Sequence, residues 1–267
     1  MNKESRLQEA YLSRLEKQRR KIMAARILLA LAYFLLWETA ADRGWIDSFF
    51  FSSPSRLGRL FLSMWRDGSL FLHVGITLTE TLVSFALVVV IGLAVSLLLW
   101  LSDSVFQVLE PYLVILNSLP KSALAPLLIV WLGANSRTII VAGMSVAIFG
   151  TILNLYTGFT ETSREKIRLI YTLHGTKKDA LTKVVLPSTV PMIISIMKVN
   201  IGLCLVGVVI GEFIGARNGL GYLIIYGSQV FQLDLVILSI LILCLMAMLL
   251  YGGVTAAEKL YHRRQHA

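Results

Sequence analysis

Residues 162–187 read TSREKIRLIYTLHGTKKDALTKVVLP, a polar interval between two long apolar runs. Six of its residues are basic: Arg164, Lys166, Arg168, Lys177, Lys178 and Lys183. Thr162-Ser163-Arg164-Glu165 and Thr176-Lys177-Lys178-Asp179 each set a hydroxyl three residues ahead of a carboxylate. In that pattern each side chain satisfies the other's free backbone N–H at a helix start. Gly175 stands where a first short helix stops, and Leu186-Pro187 where a second one ends. The flanking runs, at 137–159 and 190–210, approach the roughly 20 apolar residues that cross a bilayer. The interval therefore reads as an ordered, basic helical pair between two membrane spans, which points to a docking surface for a partner.

The rest of the chain agrees with that frame. It is 56% hydrophobic and 15% charged, with mean hydropathy +0.73, where a soluble domain carries about 25% charge. Further spans are read at 22–41, 74–101, 106–133 and 234–253. The expected fold is all-α and polytopic, with six transmembrane helices. Residues 1–21 form a basic N-terminal helix, 22–260 the transmembrane domain with the helical pair at 162–187, and 261–267 a short basic tail. Between the first two spans, Ser53-Pro54-Ser55 opens a short amphipathic helix carrying Leu57, Leu60, Phe61 and Met64 on one face.

Six spans put both termini on one side, and the positive-inside rule chooses it. With the termini inside, the cytoplasmic segments hold sixteen Lys/Arg and the outer segments six. The N-terminus, the C-terminus and the helical pair are thus expected in the cytoplasm. The first 21 residues are too polar for a signal peptide. Cys204 and Cys244 read as buried small hydrophobes. No metal site, cofactor or nucleic-acid partner is expected. There is no HExxH, no GxSxG with partners and no Walker A loop. No catalytic residue is assigned, and any ATP hydrolysis is expected in another subunit. The competing classes are a membrane-embedded enzyme acting on lipid, which needs a polar catalytic cluster at one depth, and a passive channel.

Ionisable groups inside spans are functional candidates because burying them is costly. Here they are Glu38, Glu80, Glu110, Lys121, Lys198 and Glu212. Glu38, Glu110 and Lys198 lie near span ends, where snorkelling is cheap. Lys121 follows Pro120 in a span that also contains Pro126, so the helix is expected to break there. Two readings stay open for Lys121: a cation lining a solute path, and an interfacial lysine that orients the helix. Glu212 lies in the glycine-rich stretch 211–232. Pro120, Lys121, Pro126 and Glu212 are the translocation-path candidates.

The loop ending in Leu186-Pro187, placed before the penultimate span, resembles the coupling loop of permease subunits of bacterial ABC importers. The family pattern is Glu-Ala-Ala, three residues, Gly, nine residues, then Ile-x-Leu-Pro. Val184-Val185-Leu186-Pro187 matches its end, His174 occupies the glycine position and Arg168-Leu169-Ile170 the Glu-Ala-Ala position. Residues 119–133, LPKSALAPLLIVWLG, look like the branch that handles nitrate, sulfonates, taurine, bicarbonate and pyrimidine-type vitamin precursors. So do Gly211-Glu212-Phe213-Ile214-Gly215-Ala216 and residues 219–224. Ser52-Ser53-Pro54-Ser55 is similar to the family's lead-in to its outer helix, with Ser52 replacing a proline.

The resemblance implies a type I ABC importer permease in the bacterial inner membrane, carrying a small polar solute, anionic or neutral. It implies a second permease copy in a homodimer, cytoplasmic ATP-binding cassette ATPase subunits and an extracellular or periplasmic binding protein. ATPase coupling would then fall to Ile167, Ile170, Tyr171, His174, Gly175, Lys178, Asp179, Leu186 and Pro187. Ile167, Ile170 and Tyr171 share one apolar helical face. That face can pack on the protein's own spans, insert into a partner, or lie on anionic lipid.

Overall fold

A backbone crossing lipid must satisfy its polar groups internally, which long apolar runs achieve as helices. Every regular element among the described residues is helical. The computed structural model describes residues 3–265, with side chains from 17 to 259. The basic side chains expected at Lys3, Arg6, Arg14, Arg263 and Arg264 lie outside those described.

The helices are α1 (Lys3–Asp42), α2 (Ser48–Phe51), α3 (Pro54–Arg66), α4 (Ser69–Leu101), α5 (Asp103–Ser118), α6 (Lys121–Leu132) and α7 (Ser136–Thr160). They continue with α8 (Arg164–Thr172), α9 (Lys177–Ala180), a π turn (Leu181–Val185), α10 (Leu186–Gly215), α11 (Leu220–Gln229) and α12 (Leu233–Gln265). Among the described residues, five stretches are long and apolar enough to cross a membrane: Lys17–Asp42, α4, α7, Lys177–Gly215 and Leu233–Lys259. The pair α5–α6 makes a sixth if its two bent halves count as one span.

Residues 1–63 and 64–267 form two compact units. In the first, the basic stretch and the first span belong to one continuous helix, α1. Glu38 on α1 is not spare: its carboxylate accepts the Ser55 N–H at 3.0 Å, capping the start of α3. Trp37 Nε1 donates to the Phe51 carbonyl at 3.3 Å.

In the second unit, α4, α7 and α10 make the core. Val88, Leu99, Ile148, Ile152 and Cys204 are buried together. Between helices in lipid, close packing and polar contacts replace hydrophobic drive. A Cβ on Gly207 of α10 would lie 2.8 Å from the Gly143 Cα of α7. Ser84 Oγ donates to the Ile140 carbonyl at 3.0 Å, and Asn200 Nδ2 to Thr151 Oγ1 at 2.8 Å.

Two sequence expectations meet a different chain path. The second helix of the basic pair does not end at Leu186-Pro187: α9 passes through the π turn directly into α10. Pro187 stands in the first turn of α10, where its missing N–H has no intrahelical partner to lose. The first helix starts one residue late for Thr162 to cap it, because its N-cap is Ser163, which makes no side-chain capping bond.

Candidate functional site

The basic loop is a rigid bracket. Helix α8 carries Glu165 in its first turn, at the positive end of the helix dipole. Its far end closes with two backbone bonds: His174 N–H to the Tyr171 carbonyl at 3.0 Å and Gly175 N–H to the Ile170 carbonyl at 2.9 Å. This termination needs a left-handed residue, and His174 supplies it with φ +61°. The family pattern places glycine at that same position. Gly175 serves a second need, because a Cβ there would lie 2.5 Å from Ile170 Cγ2 and 2.9 Å from the Ile170 carbonyl oxygen.

The second half is held by the reciprocal cap that its sequence suggests. Asp179 N–H donates to Thr176 Oγ1 at 3.3 Å, and Thr176 N–H to Asp179 Oδ2 at 2.9 Å. Lys183 pairs with Asp179 at 3.0 Å. Lys177 lies 5.4 Å from the Trp100 ring centroid, tying the loop to the end of α4.

Ile167 and Ile170 pack inward on Trp100, Leu155, Phe159, Ala180, Leu181 and Val185, and Leu186 joins them. The two isoleucines of the predicted face thus pack on the protein's own helices. Tyr171 is 45% exposed, while Leu169 (59%) and Leu173 (71%), one turn apart, are the loop's most exposed large apolar side chains. Arg164, Lys166, Arg168 and Lys178 are exposed around them, as is Pro187.

The proline-marked span is broken by 95° between α5 and α6. Leu119, held extended ahead of Pro120, forms the corner. Lys121 Nζ donates to the carbonyls of Leu116 and, at 3.1 Å, Asn117, and lies 5.4 Å from the Phe149 ring centroid. It neutralises the carbonyl end of α5. Pro126 sits within α6.

Glu212, the other path candidate, is buried. It accepts Thr77 Oγ1–H at 2.7 Å and the Gly221 N–H at 2.6 Å. Thr77 Oγ1 also accepts the Leu220 N–H at 2.8 Å, and His73 Nδ1 the Gly219 N–H at 3.0 Å. Gly219 has φ +113°, and a Cβ there would lie 2.4 Å from the Glu212 carboxyl carbon. The cluster clamps the turn between α10 and α11 against α4. Glu80, one turn further along α4 than Thr77, is buried beside the Glu212 carboxyl and interacts with it, and it also lines a cavity of about 180 Å³ with Ser136 and Arg217.

A polar recess that the sequence reading passed over lies among α5, α7 and α10. Its volume is about 410 Å³, and its polar lining is Asn117, Thr151, Asn154, Ser195 and Asn200. These residues are scattered singly through three apolar runs. The available signal was amides within spans, where each needs a partner.

The family model described as "Binding-protein-dependent transport system inner membrane component" matches residues 88–265. The chain is 30% identical over 237 residues to a probable ABC transporter permease protein of Haemophilus influenzae, covering 89% of this chain and 95% of the other. It is 27% identical to the formylaminopyrimidine transport permease protein ThiX of Halalkalibacterium halodurans, covering 87% and 92%. Among solved structures, an inward-facing MetNI methionine ABC transporter chain superposes with TM-score 0.60 at 20% identity, covering 69% of this chain and 92% of that one.

Proposed function

This chain belongs to the binding-protein-dependent transport system inner membrane components and is a membrane permease of an ABC importer, and we propose that α8 is its lever against a cytoplasmic ATPase. The carrying observation is the division of α8 into two faces. Ile167 and Ile170 root it in the core formed with α4 and α7, while Leu169 and Leu173 face outward amid basic residues. An apolar pair ringed by cations fits a cleft with an apolar floor and acidic rim. Because the inner face is packed, displacement of the outer face moves α4, α7 and α10 rather than the loop alone. The π turn at Leu181–Val185 gives the connected helix a place to adjust its winding.

In this reading, Tyr171 and Lys178 border the contact. His174, Gly175 and Asp179 hold its shape, and Leu186 and Pro187 pass its motion to α10. Both termini lie in the cytoplasm of a bacterial cell, as the sixteen-to-six distribution of basic residues favours. A second copy of the chain completes the pathway, a binding protein delivers solute to the outer face, and ATP is hydrolysed by the partner subunits. The path runs beside the α5–α6 break at Pro120, Lys121 and Pro126. Glu212 keeps the α10–α11 turn in place beside it.

The test is Leu169→Asp combined with Leu173→Asp. Both side chains are exposed, so the purified chain should unfold at the parental temperature while ATPase subunits no longer co-purify. An intact complex with undiminished ATP hydrolysis would refute the assignment.

A further inference from the structure

The recess among α5, α7 and α10 holds five polar side chains and no charged one. Asn117 comes from the last turns of α5, Thr151 and Asn154 from α7, and Ser195 and Asn200 from α10. Thr151 and Asn200 are bound to each other. Asn117, Asn154 and Ser195 are exposed, and among the described residues their side chains make no hydrogen bond. Gly150 leaves room for Asn117: a Cβ there would lie 3.2 Å from Asn117 Oδ1. Amides exposed on helices this apolar are costly against lipid, which suits the space they face to a polar occupant. A volume of about 410 Å³ is within the range of small-molecule sites.

The lining also says what that occupant is. A carboxamide both donates and accepts, so several of them match a solute edge that alternates donor and acceptor. An anion would need compensating positive charge, and the lining supplies none. Lys121 is committed to the Leu116 and Asn117 carbonyls, Lys198 is paired with Glu258, and the α5 end beside the recess is the negative end of its dipole.

We propose that this recess is a solute-binding site within the permease itself, selecting an uncharged, hydrogen-bonding solute of heterocycle size over small oxyanions. This rests on the importer reading above. It adds that selection is not left wholly to the delivering protein.

The experiment uses the full chain in lipid nanodiscs and three radiolabelled neutral probes, cytosine, uracil and nicotinamide, with nitrate and ethanesulfonate as competitors. At least one neutral probe should bind saturably and resist displacement by either anion. Asn154→Leu should weaken that binding about ten-fold, as loss of one or two hydrogen bonds requires. Ser195→Ala, at an exposed position, should weaken it without disturbing the fold. Absence of binding by all three probes, displacement by an anion, or binding unchanged in both variants overturns the proposal. ATPase co-purification with the same preparations reads the importer assignment separately: a complex that assembles but binds no probe refutes only the recess.

Discussion

Exchanging the two residues that close α8 should have opposite effects at adjacent positions. His174 holds φ +61°, a conformation that a non-glycine residue adopts at a cost of about 1 kcal/mol and glycine adopts freely. His174→Gly removes that strain but gives the unfolded chain more freedom, so the net gain is about 0.5 kcal/mol at most. Gly175→Ala does the reverse. The added methyl would stand 2.5 Å from Ile170 Cγ2 and 2.9 Å from the Ile170 carbonyl oxygen. One of these contacts is backbone and the other a side chain packed in the core, so the bracket must open, at about 1–3 kcal/mol. Hydrogen–deuterium exchange at the α8 amides reads both effects directly. His174→Gly should leave protection equal or higher, whereas Gly175→Ala should raise exchange about five-fold or more. Unaltered protection in Gly175→Ala, or faster exchange in His174→Gly, would refute the division of roles between the two positions.

Other sites give independent checks. Thr77→Val strands both the Glu212 carboxylate oxygen and the Leu220 N–H, costing about 2–4 kcal/mol. Thr77→Ser should stay within about 1 kcal/mol, with thermal unfolding in detergent distinguishing them. Lys198 on α10 pairs with Glu258 on α12, both largely buried. Lys198→Met alone should destabilise by about 2–3 kcal/mol by leaving a carboxylate unpaired, and the exchange Lys198→Glu with Glu258→Lys should recover most of it.

The spans were legible because lipid imposes length and apolarity on each helix separately. The break at Pro120 was legible for a local reason too, since a proline constrains its own neighbours. The same residue type misled at Pro187, because proline is as compatible with a helix's first turn as with its end. The cap at Thr176–Asp179 formed as written, but Thr162 was displaced by one residue because Ser163 could equally stand at the boundary.

The candidate site was less readable where partners are distant in sequence. Glu212 stood out as a charge in a span, but its partners Thr77, 135 residues away, and Glu80 are brought to it only by the packing of α4 on α10. Ile167, Ile170 and Tyr171 formed a clear apolar stripe, but periodicity does not say what covers a stripe. The core takes the two isoleucines and leaves Leu169 and Leu173 outside. The polar residues of the recess have no spacing in common, because Asn117, Asn154 and Ser195 meet only when three helices pack.

In the proposed coupling, α8 carries ATP-driven motion into the membrane helices. Its most direct test is thiol cross-linking from Leu173→Cys in a Cys244→Ser background, since Cys244 is exposed and Cys204 buried. In native membranes, the thiol at position 173 should join to an ATP-hydrolysing subunit, and the yield should change between nucleotide-free and ATP-bound states. It should resist a membrane-impermeant reagent added outside the cell. Labelling from the outside, or an assembled complex without any cross-link in either nucleotide state, would contradict the account.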